Sequence, residues 1–384
     1  MVELSVVMPC LNEADTLASC IGKARRALDA HGIGGEIVVA DNGSTDGSQE
    51  IARANGARVV DVPERGYGAA LAAGFAAATG TYVVMGDADD SYDFGEIPRF
   101  LAKLREGYDL VQGCRLPSGG GTVMPGAMPF LHRWWGNPMF SAMGRLWFGA
   151  PIHDVNCGLR GFRRDWQQGI QQRCTGMEFA NEMIVKASLF GSRIAEVPIT
   201  LSPDGRKAHA PHLRTFRDGW RTLRFYLVYS PRWLFLMPGL LLMALGVVSF
   251  AIALPGLTID GVTFDVHTML FASLFMVCGY QAVIFALLTK IFAISEGLLP
   301  MDARMDRAFK ALKLEHGLVA GTAAVVIGVA LLLEAVNHWR AVHFGGLDYT
   351  HTMREVIPGV TLTTLGFQTV LSSFFMSILG MRRR

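Results

Sequence analysis

The chain has 384 residues, of which 51% are hydrophobic, and a mean hydropathy of +0.31. This is too apolar for a wholly soluble enzyme, so part of it must lie in lipid. With 35 basic and 33 acidic residues the net charge is +2, which gives no argument for a nucleic-acid partner. Six irregularly spaced cysteines without a C-x-x-C pair favour reduced thiols over a disulfide frame or zinc site. Residues 4–11 are too short for a signal-peptide core and carry no basic leader, so no cleaved targeting segment is expected.

Up to about residue 108, short apolar runs at 4–8, 36–40, 57–61 and 82–85 alternate with helical stretches at 15–31, 47–55 and 67–78. That alternation predicts βαβ units on a parallel sheet. Ser44-Thr45-Asp46 and the Gly66-Tyr67-Gly68 pair read as helix starts, and glycine there lets the backbone approach a phosphate closely. The Gly-x-Gly lacks the dinucleotide spacing G-x-G-x-x-G. The run Val83-Val84-Met85 ends in Gly86-Asp87-Ala88-Asp89-Asp90-Ser91, where parallel sheets place their ligands. Asp87 and Asp89 suit a hard divalent cation shared with a substrate's phosphates, or an acidic turn.

From 110 to 201 the pattern is less regular. The Gly-Pro-rich segment 117–126 predicts a mobile loop, either a lid or a connector. A helix is expected over 178–190 and a strand over 193–199. In 212–233, Leu213, Phe216, Trp220, Leu223 and Leu227 form an apolar stripe beside Arg214, Arg217, Arg221 and Arg224. This is a basic amphipathic helix, suited to the membrane interface or to packing on the preceding domain.

Four apolar segments follow, at 234–255, 269–289, 317–333 and 356–381, near the roughly 20 residues that cross a bilayer. Lys290, Arg304, Arg307, Lys310 and Lys313 gather in the loop at about 290–316, and Arg382-Arg383-Arg384 follows the last span. The positive-inside rule then puts residues 1–211, that loop and the C-terminus in the cytoplasm. Met301, Met305, Ala308 and Leu312 recur at helical spacing and suggest a second interfacial helix. Gly239, Gly246, Gly321 and Gly328 would allow close helix approach, including self-association as a homo-oligomer.

The order of Pro9-Cys10-Leu11-Asn12-Glu13, Asp41-Asn42-Gly43-Ser44 and Asp87-Ala88-Asp89 resembles the family 2 glycosyltransferases. With Cys157-Gly158-Leu159-Arg160-Gly161-Phe162, Glu178-Phe179-Ala180-Asn181-Glu182 and the membrane spans, the chain resembles the dolichyl- or polyprenyl-phosphate sugar synthases within that family. The resemblance implies an α/β catalytic domain of glycosyltransferase A (GT-A, Rossmann-like) fold at 1–211, an interfacial helix at 212–233, and an all-α transmembrane region of four helices at 234–384. It implies inverting transfer of a hexose from a nucleotide sugar, UDP-glucose first and GDP-mannose second, to polyprenyl phosphate at the cytoplasmic face of a bacterial inner membrane. Pro9, Asn12, Glu13, Asp41, Asn42, Ser44 and Ala88 would line the nucleotide site. Asp87 and Asp89 would hold Mg²⁺ or Mn²⁺. Many relatives carry Gln where Ser91 stands, so Asp90 or water would supply a third ligand.

Asp154 takes the family's place for a base or acceptor-positioning group, and Arg115, Arg133, Arg206 and Arg214 would meet the acceptor phosphate. The alternatives are a processive polysaccharide synthase and a non-catalytic binding or lipid-transport protein. The first resembles this chain in its front half, but Tyr229-Ser230-Pro231-Arg232-Trp233 replaces its Gln-x-x-Arg-Trp motif. The second sits poorly with spans that carry almost no ionisable residue.

Overall fold

The computed structural model describes residues 2–206, 215–300 and 314–380. The chain divides into two compact units, Met1–Tyr226 and Leu227–Arg384. In the first, β1 (Leu4–Cys10), α1 (Leu17–Ala30), β2 (Gly35–Asp41), α2 (Ser48–Ala54), β3 (Arg58–Asp61), α3 (Tyr67–Ala77) and β4 (Tyr82–Met85) follow the expected alternation. α4 (Ile97–Arg105), β5 (Leu110–Cys114), β6 (Thr122–Val123), α5 (Asn137–Phe148), β7 (Arg160–Arg163), α6 (Arg164–Gly169), α7 (Glu178–Leu189), β8 (Ile194–Pro198) and β9 (Thr200–Leu201) complete it. The seven-stranded sheet runs β3-β2-β1-β4-β7-β5-β8. Only β7 is antiparallel to its neighbours, giving the mostly parallel GT-A-like sheet.

The register aligns Cys10 with Asp41 and Val7 with Met85. The carboxyl ends of β1, β2 and β4 therefore open side by side, each on an apolar strand buried on both faces. Asp46 starts α2 by accepting from the Ser48 amide and hydroxyl at 3.1 and 2.6 Å. At the opposite end of β2, Glu36 accepts hydrogen bonds from Ser5, Thr79 and Arg58. Burial opposes its ionisation, but Arg58, Ser5 and Thr79 outweigh that and hold its pKa down at about 2. A folded-state pKa below the unfolded value gives stability that is present above about 4.5 and lost as pH falls toward about 2. Glu36→Gln is therefore expected to lower the thermal midpoint of the detergent-solubilised protein by several degrees at pH 7, with the deficit shrinking toward pH 3.

Two expectations change here. The 117–126 segment is not a free loop, because β6 pairs with β9 through Thr122↔Thr200 and Val123↔Leu201. The amides of Thr122 and Met124 donate to the carbonyls of Ile199 and Leu201 at 3.0 Å each, so the segment is tied into a short ladder at its middle. The helix expected over 212–233 is α8 (Thr215–Tyr229), and a π-turn at Arg232–Leu236 follows it. Tyr226 is fully buried against Phe140 and Phe148 with its hydroxyl on Asn181, so this stretch packs on the first unit. Phe216 and Trp220 of its apolar stripe remain exposed.

Among the described residues, the second unit holds four helices long and apolar enough to cross a membrane, Arg232–Ala253, Val266–Ser295, Leu314–Ala341 and Tyr349–Leu379. The spans from the π-turn through α9 (Met237–Ala253) and of α10 (Val266–Ser295) are joined by a hairpin of β10 (Thr258–Ile259) and β11 (Val262–Thr263). α11 (Leu314–Ala341) and α12 (Tyr349–Gly380) form the second pair. The third span is longer than 317–333 because α11 continues through Glu334, His338 and Arg340. Gly239 lies against Gly279, Gly246 against Ala272 and Met276, Gly321 against Gly366, and Gly328 against Gly359 and Thr363. These glycines serve close approach within the chain, which removes their use as evidence of self-association. Ser273 bonds Thr361 and Tyr280 bonds Thr369 across α10 and α12, at 2.7 and 2.6 Å. The predicted interfacial helix at Met301, Met305, Ala308 and Leu312, the cations Arg304, Arg307, Lys310 and Lys313, and Arg382-Arg383-Arg384 all lie outside the described residues.

Candidate active site

The end of β2 presents a carboxylate with one unanswered oxygen. Asp41 Oδ2 accepts from the amides of Gly43 and Ser44 at 3.1 and 3.0 Å and from Gln49 at 2.7 Å. Burial pushes its pKa up, but these donors, led by Ser44, outweigh it and keep the group ionised. Oδ1 is buried and has no hydrogen-bond partner among the described residues. An acceptor withdrawn from water without a donor is costly, and the N–H edge of a bound base would satisfy it. Around it, Ser44 accepts from the Asn12 amide at 2.9 Å, and Asn12, held at φ 59°, accepts from the Thr45 amide at 2.8 Å. Asn42 is spent differently: its side chain bonds Val62, Glu64 and Gly66 of the backbone and shapes the loop before α3. Pro9 lies on β1 beside Ala40, and Ala88 is buried with its carbonyl accepting from Thr16 at 2.6 Å.

The end of β4 supplies the acidic pair. Asp87 Oδ1 accepts from the Tyr67 hydroxyl at 2.8 Å, and Asp89 Oδ1 from the Ser91 hydroxyl and amide at 2.6 and 3.0 Å. Each carboxylate thus has one oxygen oriented by the protein. Asp89 Oδ2 lies 3.5 Å from the Arg206 guanidinium. Asp87 Oδ2 faces Gly158, where an added Cβ would come to 2.4 Å. Burial first, then the charge of Asp89, raise the pKa of Asp87. Two carboxylates crowded so that one resists ionisation form an electrostatic demand for a cation, and this donor set fits a hard divalent ion. Asp90 does not join them. Its φ is 63°, and its carboxylate turns to Lys23 and Ser19 of α1 at 2.8 and 3.1 Å, so it is unsuited as a third ligand.

Beyond the pair stands a buried ion pair. Arg115 Nε and Nη2 donate to Asp154 Oδ2 and Oδ1 at 2.7 and 2.9 Å, and the amides of Arg115 and Asn156 donate to the same carboxylate at 3.0 and 3.2 Å. Asp154 is fully buried, so every good acceptor position is taken and none is free to receive a proton. Of its two expected roles, base and positioning group, the geometry favours the second. Arg115 also reaches the Tyr92 hydroxyl, which accepts from the Gly158 amide, so it connects to the wall of the Asp87 site. Glu196 braces this loop by accepting from the His153 and Asp154 amides at 2.7 and 3.1 Å.

The other predicted arginines diverge. Arg206 forms a bidentate pair with Glu13 at 2.6 and 2.7 Å and reaches Asp204 at 2.7 Å. Its charge is met by three carboxylates, Glu13, Asp204 and, at 3.5 Å, Asp89. Arg133 stacks on Trp134 at 5.5 Å in an exposed aromatic turn with Trp135. That turn stands near Arg115, whose charge, after burial, lowers the pKa of the neighbouring His132. Arg214 lies outside the described residues.

The glycines of Gly66-Tyr67-Gly68 do not face a phosphate. A Cβ on either would strike the backbone of Thr175, whose carbonyl accepts from the Ala69 amide at 3.0 Å. Glu182, paired with Lys186 at 2.9 Å, holds this neighbouring chain by accepting from the amides of Arg173 and Cys174. Tyr67, Gln49, Tyr92 and Glu196 have no site role in the sequence reading. Tyr67 alone had a local signal, an aromatic side chain between two glycines at a helix start.

Residues 5–169 match glycosyl transferase family 2, and residues 287–380 match the glycosyltransferase family 2 C-terminal transmembrane region. The low-salt glycan biosynthesis hexosyltransferase Agl6 of Haloferax volcanii is 36% identical over 379 residues, covering 98% of this chain and 89% of that protein. The dolichyl-phosphate hexose transferase of the same organism is 36% identical over 218 residues, or 56% of this chain and 89% of that one. The undecaprenyl-phosphate 4-deoxy-4-formamido-L-arabinose transferase of Klebsiella pneumoniae is 32% identical over 207 residues, covering 51% and 59%.

Proposed function

The chain belongs to glycosyltransferase family 2, and from that premise we propose that it transfers a hexose with inversion from a nucleotide sugar to a polyprenyl or dolichyl phosphate. UDP-glucose is the first choice of donor and GDP-mannose the second. The observation that carries this reading is the Asp41 Oδ1 left without a donor among the described residues at the end of β2, with the Asp87–Asp89 pair at the end of β4, the two strands that flank β1. One end answers a base and the other a diphosphate. The names of the relatives, two of them lipid-phosphate sugar transferases, support the acceptor class. Exposed aromatics at Phe130, Trp134 and Trp135, and at Phe216 and Trp220, suit contact with a lipid surface on the same unit. Arg133 and Arg214 stay as proposed acceptor contacts. The positive-inside argument supports catalysis on the cytoplasmic face.

In the proposed reaction the lipid phosphate oxygen attacks the anomeric carbon and the nucleoside diphosphate leaves. Asp41 and Asn12 orient the nucleoside, with Glu13 held by Arg206. Asp87 and Asp89 would hold Mg²⁺ or Mn²⁺, which when bound offsets charge on the diphosphate leaving group. Arg115, fixed in place by Asp154, presents its remaining N–H groups to a phosphate oxygen. A phosphate acceptor is already anionic, so the absence of a free base at Asp154 fits this chemistry better than a hydroxyl acceptor. A panel of radiolabelled nucleotide sugars with polyprenyl phosphate tests the proposal. Label from one donor is expected in the lipid phase, acid-labile and monomeric. Label in a water-soluble product or polymer alone would overturn it.

A further inference from the structure

We propose that the hairpin end of α11 and α12 carries a second cation site, selective for a divalent transition metal of the zinc class and built from His338, His351 and Glu355. The ligand atoms of these three side chains lie within 4.8 Å of one another. Glu355 is the centre of the group. Its two carboxylate oxygens face His338 Nδ1 at 3.2 Å and His351 Nδ1 at 3.9 Å, while the other ring nitrogen of His338 faces Glu334 at 3.5 Å. A carboxylate behind a histidine is the arrangement that fixes the tautomer and ring orientation of a metal-ligating imidazole. Two imidazoles and a carboxylate, with water in the fourth position, match a known zinc donor set. Imidazole ligands also favour the later first-row ions over Mg²⁺ or Ca²⁺.

The fold supplies the placement. Glu334 and His338 are four apart at the end of α11, and His351 and Glu355 are four apart at the start of α12, so each pair lies on one helix face. Close packing of Gly328 on Gly359 brings the two helices together just below. The adjacent cation, Arg354, is drawn aside to Asp265 at 3.2 Å and leaves Glu355 to the histidines. Zinc bonds of about 2.0–2.1 Å would draw the ligand atoms to roughly 3.3 Å apart, and the side chains are exposed enough to rotate, at 44% for His338 and 71% for His351. The cluster is separate in composition from the all-carboxylate pair Asp87 and Asp89, which suits a harder ion. An ion bound here would clamp the third span to the fourth.

The test uses the full-length, tag-free protein in detergent or nanodiscs, with Co²⁺ and Zn²⁺ as probes. Tetrahedral Co²⁺ absorption is expected at one equivalent, displaced by Zn²⁺, together with a Zn²⁺-dependent rise in the thermal midpoint. His338→Ala and, independently, His351→Gln are expected to weaken binding by about 100-fold, the upper range for losing even a supporting group around a metal. The double variant Asp87→Asn/Asp89→Asn is expected to keep the signal. Loss of the Co²⁺ band in that carboxylate variant with retention in both histidine variants would overturn the proposal. So would no Co²⁺ band at all, which would leave the cluster as a set of ion pairs only.

Discussion

Asp89→Ala is expected to lower sugar transfer about 10²- to 10³-fold, the scale of losing charge stabilisation at a reacting centre, while the protein remains folded and membrane-bound. Asp89 has Oδ1 fixed by Ser91 and Oδ2 lying 3.5 Å from the Arg206 guanidinium, so its removal takes away a proposed ligand without opening the core. Asp87→Asn is expected to be equally inactive but to behave differently without metal. Burial and the charge of Asp89 raise the pKa of Asp87 above its ordinary 3.8. A carboxyl whose folded pKa is raised favours folding when protonated, and the penalty for its charge grows from about pH 3.8 up through the raised value. The Asn variant, which still accepts from Tyr67, should therefore melt higher than the parent at pH 7.5 and equally near pH 4, in chelator. Mn²⁺ should raise the parent's midpoint and leave the variant's unchanged. Near-normal transfer by Asp89→Ala, or a Mn²⁺ shift that survives Asp87→Asn, would refute the metal assignment.

What could be read from sequence and what could not divides along contact distance. β1, β2 and β4 announced themselves as apolar runs, and their ends carry the residues of the proposed donor site, so the strands and the candidate residues were legible together. β5 and β7 were not. Gln112 and Arg160 are fully buried within them and break the apolar pattern. Gln112 Nε2 donates to the carbonyls of Asp154 and Cys157 while its Oε1 meets no donor among the described residues, and Arg160 donates to those of Val155, Cys157 and Ala180. Arg160 is served from a turn three to five residues away and from α7, and the partners of Gln112 lie more than forty residues on, so no local window shows that these polar groups belong inside. The same holds for the site's cations. Arg206 meets Glu13 across 193 positions and Arg115 meets Asp154 across 39. Composition could say that anions need arginines, but only the folded chain says which arginines are already neutralised. The four spans were legible because length and apolarity are local properties; their use of glycine for contacts inside the bundle was not.

The buried pair of Arg115 and Asp154 allows the two roles of Asp154 to be separated. Asp154→Asn leaves the guanidinium in a nearly dry site facing a neutral amide, and breaking such a pair from one side costs about 3–5 kcal/mol of stability. Arg115→Met leaves the carboxylate in the same position and should cost a similar amount. The double variant Arg115→Met/Asp154→Leu removes both charges together, so it is expected to be more stable than either single change and the stability cycle to be strongly non-additive. Transfer should not follow stability. All three variants are expected to lose about 10²-fold or more in kcat/KM, because each loses the oriented guanidinium. A general base must be ionised to act and would impose an acid limb on the pH–rate profile that vanishes with Asp154. A positioning carboxylate imposes none, so the residual activity of Asp154→Asn should keep the shape of the parent profile. If the acid limb disappears in that variant while Arg115→Met keeps it, Asp154 takes the proton and the positioning role assigned to it here is wrong.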